Sequence, residues 1–251
     1  MRLENRFLPT PKILEIGKNK QWYSEELILG TPINRLKDKA KAWSCVGKVA
    51  KPLFQLLEAE ATKESAIKYA DKLKGEIKGL SEQCHLIEPD LKEDILSICD
   101  VLCEKVHAIS KKSRDEIIIS QTHGDFQPAN ILESDDGPWL IDWEYTDRRQ
   151  IIYDGLVFAL RSRFPRNLSQ RIIHAFETGA IEGEELLKNW PQSHWQDKEI
   201  RRLNLSVFIL EEILLKFKEN DNKMFKTFGH NFKEYLSEIK LATDYLNREI
   251  S

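Results

Sequence analysis

Cysteine is scarce, with four residues in 251. Thiols this sparse read as the reduced cysteines of a cytoplasmic protein. Positive charge is not in excess either. The chain has 38 Lys and Arg against 41 Asp and Glu, for a formal net charge of −3. A dedicated nucleic-acid binder would carry a basic surplus, so that class is excluded. The basic cluster Lys111-Lys112-Ser113-Arg114 reads as solvated surface. No apolar run approaches the ~20 residues that span a bilayer. The most apolar stretch, Val207-Phe208-Ile209-Leu210, runs straight into Glu211-Glu212. Met1 to Arg6 lack the apolar core that an export signal needs. Internal repeats and low-complexity linkers are absent too. What remains is 41% hydrophobic and 31% charged, the composition of an ordinary globular protein. The length fits one large domain or two closely packed small ones.

Along the chain, the first thirty residues read as extended. Two prolines between Phe7 and Pro11 disfavour helix. Ile13 to Ile16 and Gln21 to Leu29 flank a Gly17 to Lys20 turn, which predicts a two-stranded hairpin. From about Ile33 to Ser110 the pattern is helical, with Ala50, Leu53, Phe54 and Leu57 at helical spacing. Pro89 suits the first turn of a helix running to about Ile109. Its apolar face holds Ile95, Ile98, Cys99, Leu102 and Val106. Cys99, Cys103 and His107 lie one turn apart and are three ligand types on one helix. Burial of the cysteines as small hydrophobes is the better reading. Glu116 to Ser120 reads as a strand, and Ile131–Glu133 with Trp139–Ile141 as a hairpin around Ser134-Asp135-Asp136-Gly137. Further helices are expected at about Tyr153–Phe164, Ser169–Thr178, Glu184–Asn189, Asp197–Phe217 and Asn222–Arg248.

The chemistry concentrates between Thr122 and Asp142. His123, Asp125, Asn130 and Asp142 sit in loops at the ends of short strands, and Asp142 directly follows an apolar run. Phosphoryl transfer needs little more from a protein. One carboxylate accepts the proton of the attacking hydroxyl, and oxygen ligands hold Mg²⁺ on the phosphates.

The segments H-G-D-F-Q-P-A-N-I-L and L-I-D-W-E-Y resemble the signature of the aminoglycoside phosphotransferase and choline kinase family. The resemblance implies an α+β, protein-kinase-like fold. It implies Asp125 as the catalytic base, and Asn130 and Asp142 as ligands of Mg²⁺. ATP would be the donor and a small-molecule hydroxyl the acceptor. Asp154, in Y-D-G-L, would brace the catalytic loop together with His123. Upstream, L-P-T-P-K-I-L and W-Y-S-E-E-L-I-L-G-T-P-I resemble the last small-lobe strands and the hinge. The hinge stretch Glu26, Leu27, Ile28 and Leu29 would then face the adenine. Two positions depart from the family pattern: Gln127 stands where His is common, and Ala129 where Gly is common. Neither removes a metal ligand or the base.

A larger departure is the lack of a Gly-rich phosphate loop and of a Lys-bearing strand before the hinge. Gly17 and Gly30 stand alone, and Lys18 and Lys20 lie in a turn. The expected organisation is a remnant of the small lobe and hinge at 1–31 and a helical large lobe at 32–251. An incomplete sheet near Trp22 to Leu29 would favour self-association or capture of a partner strand. Glu144 and Asp147 could contact the acceptor or be solvated. Trp190 and Trp195, around His194, read as packing of the helical lobe rather than a cation site. The leading function is ATP-dependent phosphorylation of a sugar, an amino alcohol or an aminoglycoside-like hydroxyl. The alternative is a kinase-fold protein with weak or no catalysis that binds a ligand or partner.

Overall fold

The computed structural model describes residues 8–18, 23–112, 115–181, 183, 195–220 and 231–248. The strands β1 (Ile13–Ile16) and β2 (Tyr23–Glu25) pair antiparallel, with an irregularity between Ile13 and Glu15. The expected hairpin therefore forms, but Leu27 to Leu29 extend beyond it without strand pairing. Gln21 and Trp22 lie outside the described residues. Both faces of this hairpin meet solvent, and Ile13, Leu14, Ile16 and Tyr23 are all exposed.

The chain then enters β3 (Thr31–Pro32) and a short 3-10 turn before α1 (Lys39–Ala59). The Asp38 side chain caps α1 by accepting from the Lys41 N–H at 3.0 Å. Next come β4 (Thr62–Glu64), α2 (Ala66–Gln83) and α3 (Pro89–Lys112). Ser65 caps α2, and Asp115 holds that corner by accepting from the Ser65 hydroxyl at 2.6 Å and the Ile67 N–H at 3.0 Å. In α3 the face named above is buried, Cys99 and Cys103 included. His107 instead reaches Asp71 at 2.9 Å. No group of three metal-ligating side chains occurs among the described residues.

The centre is built from β5 (Ile117–Thr122), β6 (Ile131–Ser134), β7 (Gly137–Leu140) and β8 (Asp147–Gln150). Two three-stranded antiparallel sheets result, with orders β3-β6-β7 and β4-β5-β8. The hairpin β6–β7 forms in the register Ile131↔Leu140 to Ser134↔Gly137. Gly137 takes the left-handed φ of +113° that its turn requires. The strands β4 and β8 depart from expectation. Thr-Lys-Glu and Asp-Arg-Arg-Gln carry no apolar alternation, yet each pairs its backbone with the apolar β5.

The rest is helical: α4 (Tyr153–Leu160), α5 (Leu168–Thr178), α6 (Lys198–Asn220) and α7 (Asn231–Arg248). The helix expected to reach Phe164 stops at Leu160, because Arg161 turns to a left-handed φ of +47°. The helix expected at Glu184–Asn189 lies outside the described residues, as do Trp190 and His194. Trp195 is buried and donates its indole N–H to the Gly179 carbonyl at 2.8 Å, which makes it packing. The last helix runs from Asn231, and the stretch 222–230 is outside the described residues. One continuous apolar core runs from Leu8 to Leu246, with α2, α3 and α6 packed together at its centre. No described helix is long and apolar enough to cross a membrane.

Inside this core, Glu211 is held by the Tyr69 hydroxyl at 2.8 Å and by the Gln150 N–H and amide at 2.6 and 2.9 Å. Burial pushes its pKa from the ordinary 4.5 up to about 7 despite these donors. The folded state thus binds this proton more tightly than the unfolded chain. Its stabilising contribution is full below about pH 4.5 and is lost as pH rises through about 7. Glu211→Gln should flatten that part of the stability profile. Urea unfolding across this range tests it, and an unchanged slope would contradict the assignment.

Candidate active site

The site lies where the loop after β5 meets the end of β7. A backbone bond from the Ile141 N–H to the Asn130 carbonyl, 3.0 Å, ties the two loops together. His123 opens the first loop and is fully buried. The Asp125 N–H donates to His123 Nδ1 at 3.2 Å, so that nitrogen is an acceptor. The proton must then sit on Nε2, which donates to the Ile141 carbonyl at 2.9 Å. Burial lowers the pKa of His123 against the opposing pull of Asp154, in keeping with a neutral ring. The ring spans the two loops, and Trp143 packs edge-on against it.

Asp154, at the start of α4, accepts from the N–H groups of His123 and Gly124, each at 2.8 Å. The loop at Gly124 allows no side chain. Its φ is +90°, and a Cβ there would lie 2.2 Å from the Tyr145 carbonyl oxygen. Arg149 holds that opposing strand of chain by donating to the Tyr145 carbonyl and to Thr122 Oγ1, both at 2.9 Å.

Asp125 is 5% exposed, and both of its carboxylate oxygens are engaged. Oδ2 accepts from Asn130 Nδ2 at 2.7 Å and Gln127 Nε2 at 2.8 Å. Oδ1 accepts from Arg163 Nε at 2.6 Å. Burial alone would raise its pKa, but the Arg163 guanidinium and these hydrogen bonds outweigh burial and hold it below the usual range. Asp125 is therefore an ionised carboxylate, fixed in orientation by its donors.

Asp142 is different. It sits at a left-handed φ of +68°, rare for a residue other than glycine, and so turns sharply away from its strand. Its carboxylate accepts no hydrogen bond from the described residues. Burial, then Glu144, Asp125 and Glu25, push its pKa up. Among the described residues the groups around it are acids. The donor set, one carboxylate and the amide oxygen of Asn130 (whose Nδ2 is turned to Asp125), is the hard-oxygen chemistry that suits Mg²⁺.

The other candidates separate. Glu144 is exposed and close to Asp142 and Tyr145. Asp147 lies on β8, and its carboxylate is paired with Lys218 at 2.8 Å. Glu26 to Leu29 form the link between β2 and β3, with Leu27 and Leu29 more than three-quarters exposed. Arg163 and Glu212 belong to the site although sequence reasoning assigned them nothing. A signal for Glu212 was present: two adjacent carboxylates inside an apolar helical run need buried partners.

Residues 114–191 match the model of the phosphotransferase enzyme family. Spectinomycin phosphotransferase, solved with ADP and spectinomycin, superposes with a TM-score of 0.50 at 15% identity, covering 95% of this chain and 78% of that one. A choline kinase from Cryptosporidium parvum Iowa II gives 0.49 at 15% identity, covering 98% and 75%. A choline/ethanolamine kinase family protein from Mesorhizobium loti gives 0.49 at 12% identity, covering 96% and 75%. No curated protein matches the chain. The fold is the α+β, kinase-like one. Residues 114–191, the segment that matches the phosphotransferase family model, hold His123, Asp125, Asn130 and Asp142.

Proposed function

We propose that this chain transfers the terminal phosphoryl group of ATP to a hydroxyl of a small molecule. The observation that carries this reading is the contrast between two aspartates on adjoining loops. Asp125 is fixed and held ionised by three donors, Arg163, Gln127 and Asn130. Asp142 has no hydrogen-bonding or ionic partner among the described residues and lies among acids. The first arrangement suits a base, and the second suits a cation ligand. Asp125 would take the proton from the acceptor hydroxyl as its oxygen attacks phosphorus and ADP leaves. Asn130 and Asp142 would hold Mg²⁺, which neutralises charge on the phosphates when bound. The backbone from Glu26 to Leu29 would receive the adenine. His123 and Asp154 keep the loops in register and touch no substrate.

The acceptor side is proposed to lie at Glu144 and Tyr145. After burial, the fields of Glu219, itself paired with Lys216 at 2.7 Å, and of the neighbouring Glu144 raise the Tyr145 hydroxyl pKa. A half-buried aromatic beside the exposed acid Glu144 favours an acceptor bearing an amine, such as an amino sugar or amino alcohol. Screening amine-bearing and neutral hydroxyl compounds with ATP and Mg²⁺ tests this. Phosphorylation confined to neutral sugars would remove the amine preference, and no transfer to any acceptor would remove the reading.

Asp142→Ala should weaken nucleotide binding in Mg²⁺ far more than binding in EDTA. A full charge on a hard cation is lost, and Asn130 has only a neutral oxygen left to offer. Calorimetry in both conditions checks this. Equal losses would point to a folding defect.

A further inference from the structure

Glu212 lies on α6, fully buried, and does not touch Asp125. It is nevertheless the anchor of the group that does. Arg163 Nη1 donates to both Glu212 oxygens, at 3.0 and 2.8 Å. The same guanidinium donates from Nε to Asp125 Oδ1 at 2.6 Å and from Nη2 to the Gly124 carbonyl at 2.6 Å. The Tyr153 hydroxyl donates to the same Glu212 oxygen, Oε1, and so fixes Glu212 as well. One planar fork thus joins the core helix to the carboxylate and to the backbone of the catalytic loop. A guanidinium held on both edges has no rotation left, so the atom it holds is fixed too.

A structural role alone explains this poorly. Burying a cation with two carboxylates costs desolvation, and apolar residues of similar size would serve stability as well or better. The charge count also matters. With Glu212 present, one cation is shared between two acids. Without it, Arg163 has Asp125 as its sole acidic partner in this network and is free to follow it.

We propose that Glu212 is a positioning residue for phosphoryl transfer: acting through Arg163, it holds the Asp125 carboxylate at the angle from which it meets the acceptor hydroxyl. This rests on the reading of Asp125 as the base. A displacement of about 1 Å at a reacting group can cost roughly 100-fold in rate. The loss should fall on kcat, because neither Glu212 nor Arg163 faces the proposed nucleotide site.

The test has two readouts on the full chain. In protein labelled with ¹⁵N-arginine, the Arg163 Nε–H, assigned with Asp125→Asn, should exchange slowly with solvent. In Glu212→Gln that exchange should quicken at least about tenfold, and kcat for the best acceptor of the screen should fall roughly 30- to 100-fold, with KM for ATP within about twofold. A folded Glu212→Gln protein with slow Arg163 exchange, or with wild-type kcat, overturns the proposal. If Glu212→Gln does not fold, the paired change Arg163→Met with Glu212→Leu removes both buried charges together. Wild-type kcat in that variant overturns it equally. Freed Arg163 in a chain whose wild type transfers no phosphoryl group overturns the reading of the base instead.

Discussion

Asp125→Asn is expected to cut turnover by on the order of 100-fold or more, the usual contribution of a general base. Asparagine keeps the shape and can still accept from Arg163. Its Nδ2 then meets the Gln127 and Asn130 amides, of which the half-buried Gln127 can turn its oxygen to accept. Asparagine cannot, however, take the acceptor's proton. The fold should survive the change. Arg163 retains Glu212 and the Gly124 carbonyl, so no buried cation is stranded. Nucleotide affinity should hardly move, since Asp125 faces the acceptor and not the adenine. Steady-state kinetics with calorimetry on the same preparation separates these effects. Near-normal turnover in Asp125→Asn would take the base role away from this residue.

Asp154→Ala should produce the largest loss of stability. The side chain is wholly buried and accepts two backbone N–H groups of the loop, from His123 and Gly124. Its removal leaves both donors without a partner in a site closed to water. Each unsatisfied buried group costs about 1–3 kcal/mol, so a total of roughly 2–6 kcal/mol is expected. Asparagine should not rescue, because its amide nitrogen would present a donor to a donor. Loop geometry should suffer with stability, so activity falls even below the unfolding midpoint. Urea unfolding and hydrogen exchange at the His123 and Gly124 amides measure both. A cost under about 0.5 kcal/mol, the range of an ordinary surface substitution, would show that another group braces the loop.

The parts of this site that could be read from sequence are the local ones. His123, Asp125 and Asn130 lie within one loop, and Asp142 follows one apolar strand. Short spacing between chemically telling residues survives in a linear text. Arg163 and Glu212 do not show in that way. They join the site across sequence separations of 38 and 49 residues, and a helical pattern around Glu212 does not say which partner it meets. The polar strands β4 and β8 were hidden for a related reason. Alternation reports on side-chain burial, whereas these two strands are held by backbone pairing to β5. The end of α4 at Leu160 was hidden as well, since Arg161 carries no glycine signal for the left-handed turn it makes. On α3, by contrast, all five residues of the expected apolar face are buried.

The central claim is that Asp125 deprotonates a hydroxyl acceptor during transfer from ATP. The most direct test is ³¹P NMR of the full chain with ATP, Mg²⁺ and a pool of hydroxyl acceptors, run beside Asp125→Asn under identical conditions. The expected result is a growing phosphomonoester signal matched by ADP in the wild type, and none on the same timescale in the variant. Phosphomonoester formation at equal rates in both proteins, or ATP left intact by the wild type across the whole pool, would contradict the account.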